Sequence, residues 1–278
     1  MIKAPSVKEF RHKAELPLLF VAGSLTFSAV IIVIWRSTFG LNVPTWASGA
    51  LVGFLLPIIA MAITQRWFYW SRISNGVEVS ENQLPELFEV YKELGTTMGF
   101  TADSGISALP RLYVINGNGT MNAYASKCQL STGYVVIYSD LLDVIYENND
   151  FEIAKFILAH ELGHIKCGHV NTWRLIFSPI SSLVFLHKSI SRAQEYTADR
   201  VAGYYALEGA HGLMALYAGK HIYKRISRDA YFESVEKHRN GFWLAISNIL
   251  ADHAVGFRRM HAVKQMQESG WNIHGRMR

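Results

Sequence analysis

Two histidines four residues apart in an apolar run are the residues of this 278-residue chain best placed to do chemistry. His160-Glu161-Leu162-Gly163-His164 follows Phe156-Ile157-Leu158-Ala159 and precedes Ile165. On a helix, positions i and i+4 share a face, so both imidazoles can hold one metal ion from the same side. Glu161 is rotated roughly 100° about the axis and is turned away from that pair. It can stand beside the ion and take a proton from a water there. The pattern points to zinc-assisted hydrolysis, of peptide bonds before any other.

A catalytic zinc takes three protein ligands and keeps one position open, so a third ligand must lie downstream. Ser191-Arg192-Ala193-Gln194-Glu195-Tyr196-Thr197-Ala198-Asp199-Arg200 supplies it. Glu195 and Asp199 again share a helical face. Glu195 can ligate the ion, and Asp199 can accept the distal N–H of a ligand histidine and fix its tautomer. The alternative pattern H-E-x-x-H-x-x-G-x-x-H requires Gly at 167 and His at 170, where this chain has Cys167 and Val170. His169 is one place out of register. On a continuing helix it points away from His160 and His164, and it reads as an exposed residue near the helix end, with Gly168 helping to terminate the helix.

Together with Asn122-Ala123-Tyr124-Ala125, these motifs resemble metallopeptidase family forty-eight, which includes the HtpX heat-shock proteases, the CAAX prenyl endopeptidases and the mitochondrial OMA-type proteases. The resemblance covers about residues 84–262. His253-Ala254-Val255-Gly256-Phe257-Arg258-Arg259 stands where many members carry His-Pro-x-x-x-x-Arg, with Ala254 replacing the proline. The resemblance implies a gluzincin-type zinc endopeptidase that acts in membrane-protein quality control or processing. It implies one zinc on His160, His164 and Glu195, with Glu161 as general base. It also implies that Asn122, Ala123, Tyr124 and Ala125 form an edge strand pairing with an extended peptide. His253 would stabilise the oxyanion, and Arg259 would support it or bind a substrate carboxylate. Tyr196 and Tyr204 are weaker candidates, better read as packing. A non-catalytic membrane scaffold stabilised by zinc stays open as the alternative, although a structural site has no need of Glu161.

What must position this site is a membrane-tethered domain. Leu16 to Trp35 and Ala47 to Gln65 are uncharged runs of about the length that a bilayer requires. They are joined by a linker, 36–46, that contains Gly40 and Pro44. Residues 1–15 lead into a transmembrane hairpin over 16–70, and 71–278 form the metallopeptidase domain. Lys3, Lys8, Arg11 and Lys13 precede the hairpin, and Arg66 and Arg72 follow it. The positive-inside rule then places both termini and the metal site in the cytoplasm. Gly49 and Gly53 could join helices or make a homo-oligomer. Residues 175–186 are too short to span and are expected on the bilayer, over the site or in the core.

The net charge of +5 and the interleaved signs give no case for nucleic acid. Cys128 and Cys167 suggest no disulfide framework, and a Cys167–His nucleophile pair lacks an orienting group. The expected fold is α+β and mainly helical, with a small sheet. It has a helix over 84–98, a loop over 100–108, strands at 111–115, 121–127 and 134–138, a helix at 141–146 and the zinc helix at 151–167.

Overall fold

The computed structural model describes residues 4–38, 45–101, 108–127, 133–238, 241–251 and 256–277. Gly40, Pro44, Cys128, His253, Ala254 and most of the expected 100–108 loop lie outside the described residues.

The chain opens with a single capped turn, α1 (Val7–Phe10), followed by two long helices, α2 (Glu15–Thr38) and α3 (Thr45–Ile73). After β1 (Val77–Glu78) come α4 (Pro85–Thr97), β2 (Arg111–Ile115), β3 (Ala123–Lys127), β4 (Gly133–Tyr138) and α5 (Ser139–Asn148). Helix α6 (Phe151–Lys166) carries the two histidines. A 3-10 turn (Thr172–Phe177) and the short α7 (Ser178–Leu183) lead into α8 (Leu186–Tyr205). The remainder is helical: a 3-10 turn (Leu207–Gly212), α9 (Leu213–Ala218), α10 (Arg228–His238), α11 (Phe242–Leu250) and α12 (Gly256–Ser269).

The result is a mainly helical domain with one small mixed sheet of order β1-β2-β4-β3. From β2 the chain crosses to the far edge as β3 and returns between them as β4. This makes β2–β4 parallel, with Arg111 opposite Tyr134, and β3–β4 antiparallel, with Ala123 opposite Ile137. Strand residues alternate between faces. Leu112, Val135 and Ile137 join the main core above α6, while Tyr113, Tyr134 and Val136 meet Tyr69 and Ile73 at the end of α3.

Helix α6 is the centre of the core. Ile153, Ala154, Phe156, Leu158, Ala159 and Leu162 are all buried, and α4, α8, β3, β4 and the 207–212 turn pack around them. The leading segment joins this core too: Phe10 is fully buried, and buried Arg200 donates to the carbonyls of Glu9, Phe10 and Arg11.

The two long helices behave differently. Helix α2 buries Ala22 and Thr26 and packs on the Thr172–Phe177 turn and α7. Its other faces leave Phe20, Phe27, Ile32 and Trp35 exposed, as Leu56, Ile63 and Trp67 are on α3. Among the described residues, one helix is long and apolar enough to cross a membrane, over Glu15–Ile32. The two-span hairpin is therefore not established. The 175–186 stretch is the 3-10 turn and α7, packed against α2 and α3, and Leu183, Val184 and Phe185 are exposed at its end.

Candidate metal centre

The two histidines come together because α6 is a regular helix, and the third donor arrives because α8 can approach it closely. At Gly163 an added Cβ would lie 3.0 Å from Cβ of Val201, so glycine lets the two helices approach. That approach brings Glu195, six residues earlier on α8, beside His160 and His164. His160 Nε2 and His164 Nε2 are 3.2 Å apart, and each lies 3.5 Å from a Glu195 carboxylate oxygen.

These three donors form a group that could hold a metal ion. Donors about 2 Å from one tetrahedral ion stand roughly 3.3 Å from one another, which fits the observed spacing. The chemistry of the set agrees. Lone pairs of two imidazoles and a carboxylate facing one point repel unless a cation lies between them. Burial makes a protonated His160 less favourable, but Asp199 and Glu195 outweigh it and push the ring up to about 10. Burial holds His164 well below its ordinary value, against the pull of Glu195.

Asp199, fully buried one turn beyond Glu195, stands 2.9 Å from His160 Nδ1 and sets that tautomer. Burial opposes its charge, and Arg259 and His160 overcome this, holding the carboxyl below the usual range. Arg259, from α12, donates to both Asp199 oxygens at 2.6 and 3.0 Å and lies 3.5 Å from Glu195. It is one of the residues lining the site, held by the two carboxylates.

Glu161 is turned toward the edge strand. Burial raises its carboxyl to about 7, with Glu195 adding to the effect. His160, the Ala125 backbone N–H and Arg259 pull the other way. A cavity of about 400 Å³ opens over the site. Its walls include Met121 to Ala125, Val170, Leu213, Tyr217 and Arg259. Among the described strands β3 is at the sheet edge, and it shares the cavity wall with His160, Glu161, His164 and Glu195, with Asn122 just before it.

His169 corrects the sequence expectation. Its side chain is only 2% exposed, and its Nδ1 lies 2.9 Å from Nδ1 of His164. The helix does not continue to this residue. Gly168 takes φ +68°, and the chain turns back so that the His169 amide donates to the His164 carbonyl at 2.8 Å. A glycine after a helix signals such a turn, but not which way the next side chain falls. Tyr217 and Leu213, which wall the cavity, had no motif to mark them. Cys167 is free and buried, and its thiol is pushed up to about 12, so it is no nucleophile. Tyr196 packs with its hydroxyl on the Arg276 carbonyl, and Tyr204 packs on Phe10 and Trp271.

Parts of the chain are similar to known proteins. The model of peptidase family M48 matches residues 86–177. A protease HtpX homolog of Tropheryma whipplei (strain TW08/27) is 23% identical over 199 residues, covering 69% of this chain and 64% of that protein. A protease HtpX homolog of Burkholderia ambifaria (strain MC40-6) is 30% identical over 115 residues, covering 40% of this chain and 36% of that protein. The plastoglobule-localized metallopeptidase 48 of Arabidopsis thaliana is 29% identical over 122 residues, covering 44% and 31%. The chain thus spans less than two thirds of the length of each. The crystal structure of S. mikatae Ste24p aligns with 89% of this chain and 64% of that one, at 16% identity and a TM-score of 0.44.

Proposed function

We propose, from the match of residues 86–177 to the model of peptidase family M48, that this chain is a membrane-anchored, zinc-dependent endopeptidase of gluzincin type. The observation that carries the reading is the meeting of His160 Nε2, His164 Nε2 and the Glu195 carboxylate at 3.2 to 3.5 Å, with Glu161 beside them in an open cavity. Those three residues would hold the ion. When bound, zinc supplies a Lewis acid that polarises water and the scissile carbonyl.

Glu161 takes one proton from the attacking water as the carbon–oxygen bond forms. It returns that proton to the amine as the carbon–nitrogen bond breaks. Asp199 holds His160 in the tautomer that presents Nε2, and Arg259 keeps Asp199 ionised. The β3 edge over Asn122 to Ala125 is assigned to pair an extended peptide beside the cavity. His253, outside the described residues, is assigned as the oxyanion donor on its motif, and Arg259 is assigned to support it or to bind a substrate carboxylate.

The domain proper is assigned to 71–278, and the anchor to a hairpin over 16–70 with the metal site on the cytoplasmic side. The exposed apolar faces of α2 and α3 and the flanking charges support this. Peptides or membrane proteins are the expected substrates, in quality control or processing. Glu161→Gln decides the reading. The variant should retain one zinc ion by metal analysis while cleavage of an unstructured protein falls about 10²- to 10⁴-fold. Unchanged cleavage would remove Glu161 from its role, and no cleavage by either form would favour the scaffold.

A further inference from the structure

A ligating imidazole is oriented by whatever its other ring nitrogen bonds. For His160 that group is Asp199. For His164 the neighbour is His169, with the two Nδ1 atoms 2.9 Å apart. One of these nitrogens must carry a proton and the other a lone pair. His164 turns Nε2 toward His160 and Glu195, so its proton belongs on Nδ1. His169 Nδ1 is then the acceptor, and its own proton lies on Nε2. That nitrogen faces Glu15, 3.2 Å from Oε1, in a close contact somewhat off the hydrogen-bond axis.

Glu15 is placed to end such a chain. Its side chain is fully buried. The Thr197 hydroxyl donates to it at 2.7 Å, Arg11 pairs with it, and Arg174 approaches to 3.5 Å. Two guanidinium groups beside one buried carboxyl keep it ionised. Glu15 is also the first residue of α2, where the candidate membrane span begins. The outermost link to the metal site therefore comes from the helix that anchors the chain.

We propose that His169 and Glu15 are positioning residues of the metal centre, forming a relay from the N-terminus of α2 to the ring of His164. The seating of α2 then sets the orientation of one metal ligand. His160 is oriented from within the domain by Asp199, and His164 from the anchor by Glu15. This inference rests on the zinc reading above.

The test measures zinc affinity of the full-length protein in detergent micelles, by competition with a chromophoric chelator. Melting of the metal-free protein is followed in parallel. His169→Phe keeps a flat ring but removes the acceptor, and affinity should fall about 10- to 100-fold. His169→Asn places an amide oxygen near the former Nδ1 and should recover most of the loss. A packing role alone predicts the reverse order, with Phe tolerated and Asn harmful. Glu15→Gln keeps the shape and removes the charge, and affinity should fall severalfold. If the Phe variant does not fold, the Gln variant decides: affinity within twofold of the unmodified protein overturns the proposal. Equal affinity of the Phe variant also overturns it while the zinc reading stands. Failure of the unmodified protein to bind zinc overturns the reading itself.

Discussion

Helices α6 and α2 are both rich in apolar residues, yet they are solvated in opposite ways. On α6 the apolar side chains are enclosed on nearly every side, and the polar ones find fixed partners among them. On α2, Phe20 is 76% and Phe27 67% exposed, and along its apolar stretch Ala22 and Thr26 turn inward. Apolar composition alone does not say which medium a helix meets. What separates the two is the position of their charges. Helix α6 carries His160, Glu161 and His164 within its length. In α2 the one acid, Glu15, is at the first position, where it reaches into the metal domain. One helix is built to bury charge in pairs, and the other to keep charge out of its middle.

The sharpest way to break this contrast is to unpair the buried charges. Asp199 is fully buried, and Arg259 supplies two of its hydrogen bonds. Arg259→Leu should cost about 3–5 kcal/mol, because a carboxylate is left under-compensated in the interior. The loss would be read as a lower melting temperature of the metal-loaded protein. Lys92→Leu, which removes an exposed partner of Glu81 and Glu89, should cost about 0–1 kcal/mol. If the two variants melt alike, the α6–α8 interface does not depend on its internal charges.

The same contrast explains what could be read from the sequence. The i, i+4 pairs at 160/164 and 195/199 were legible because both members of each pair lie on one uninterrupted helix. The strands at 111–115 and 134–138 were legible from their apolar runs, and β3 begins two residues later than expected, at Ala123. Contacts made by a turn or across a long separation were not legible. His169 was misplaced because the left-handed turn at Gly168 breaks the helical register on which its direction was reckoned. Nothing in the sequence marks Glu15, because apart from Arg11 its partners His169, Arg174 and Thr197 lie more than 150 residues away in the chain. Arg192 and Arg200 carry no sequence sign of burial, because their partners are backbone carbonyls of other segments.

A second substitution sharpens the contrast from the anchor side. Phe27 lies near the middle of the candidate span and is mostly exposed. Phe27→Asp removes few contacts within the fold but should cost about 2.5–3.5 kcal/mol for insertion into a bilayer. The measurement is the fraction of protein that resists carbonate extraction from membranes, which should drop markedly. Full retention in the membrane fraction would mean that α2 is not what holds the chain there.

The smallest effect concerns the clasp between the two ends of the described chain, where neither solvation regime is complete. His12 is buried, with its Nε2 3.0 Å from the Gly275 carbonyl, and its ring meets that of His274 edge-on at 5.1 Å. Burial depresses the affinity of His12 for a proton, and Arg200 and Lys13 depress it further, against Gly275 and Glu15. Burial and Arg200 likewise lower His274 from 6.5 to about 4. With both values depressed, the detached ends bind protons that the docked ends refuse. The stabilisation is complete above about pH 6.5 and is lost as the pH falls toward about 4. Partial exposure of His274 screens the effect to the order of 1 kcal/mol. Hydrogen exchange at residues 6–14 and 271–277, corrected for intrinsic rates, should accelerate between pH 7 and pH 4.5, while the amides of 153–158 in α6 stay protected. His274→Asn should flatten part of that dependence. Equal protection of the ends at both pH values would show that the clasp is held by the Arg200 carbonyl contacts alone, with the two imidazoles as passengers.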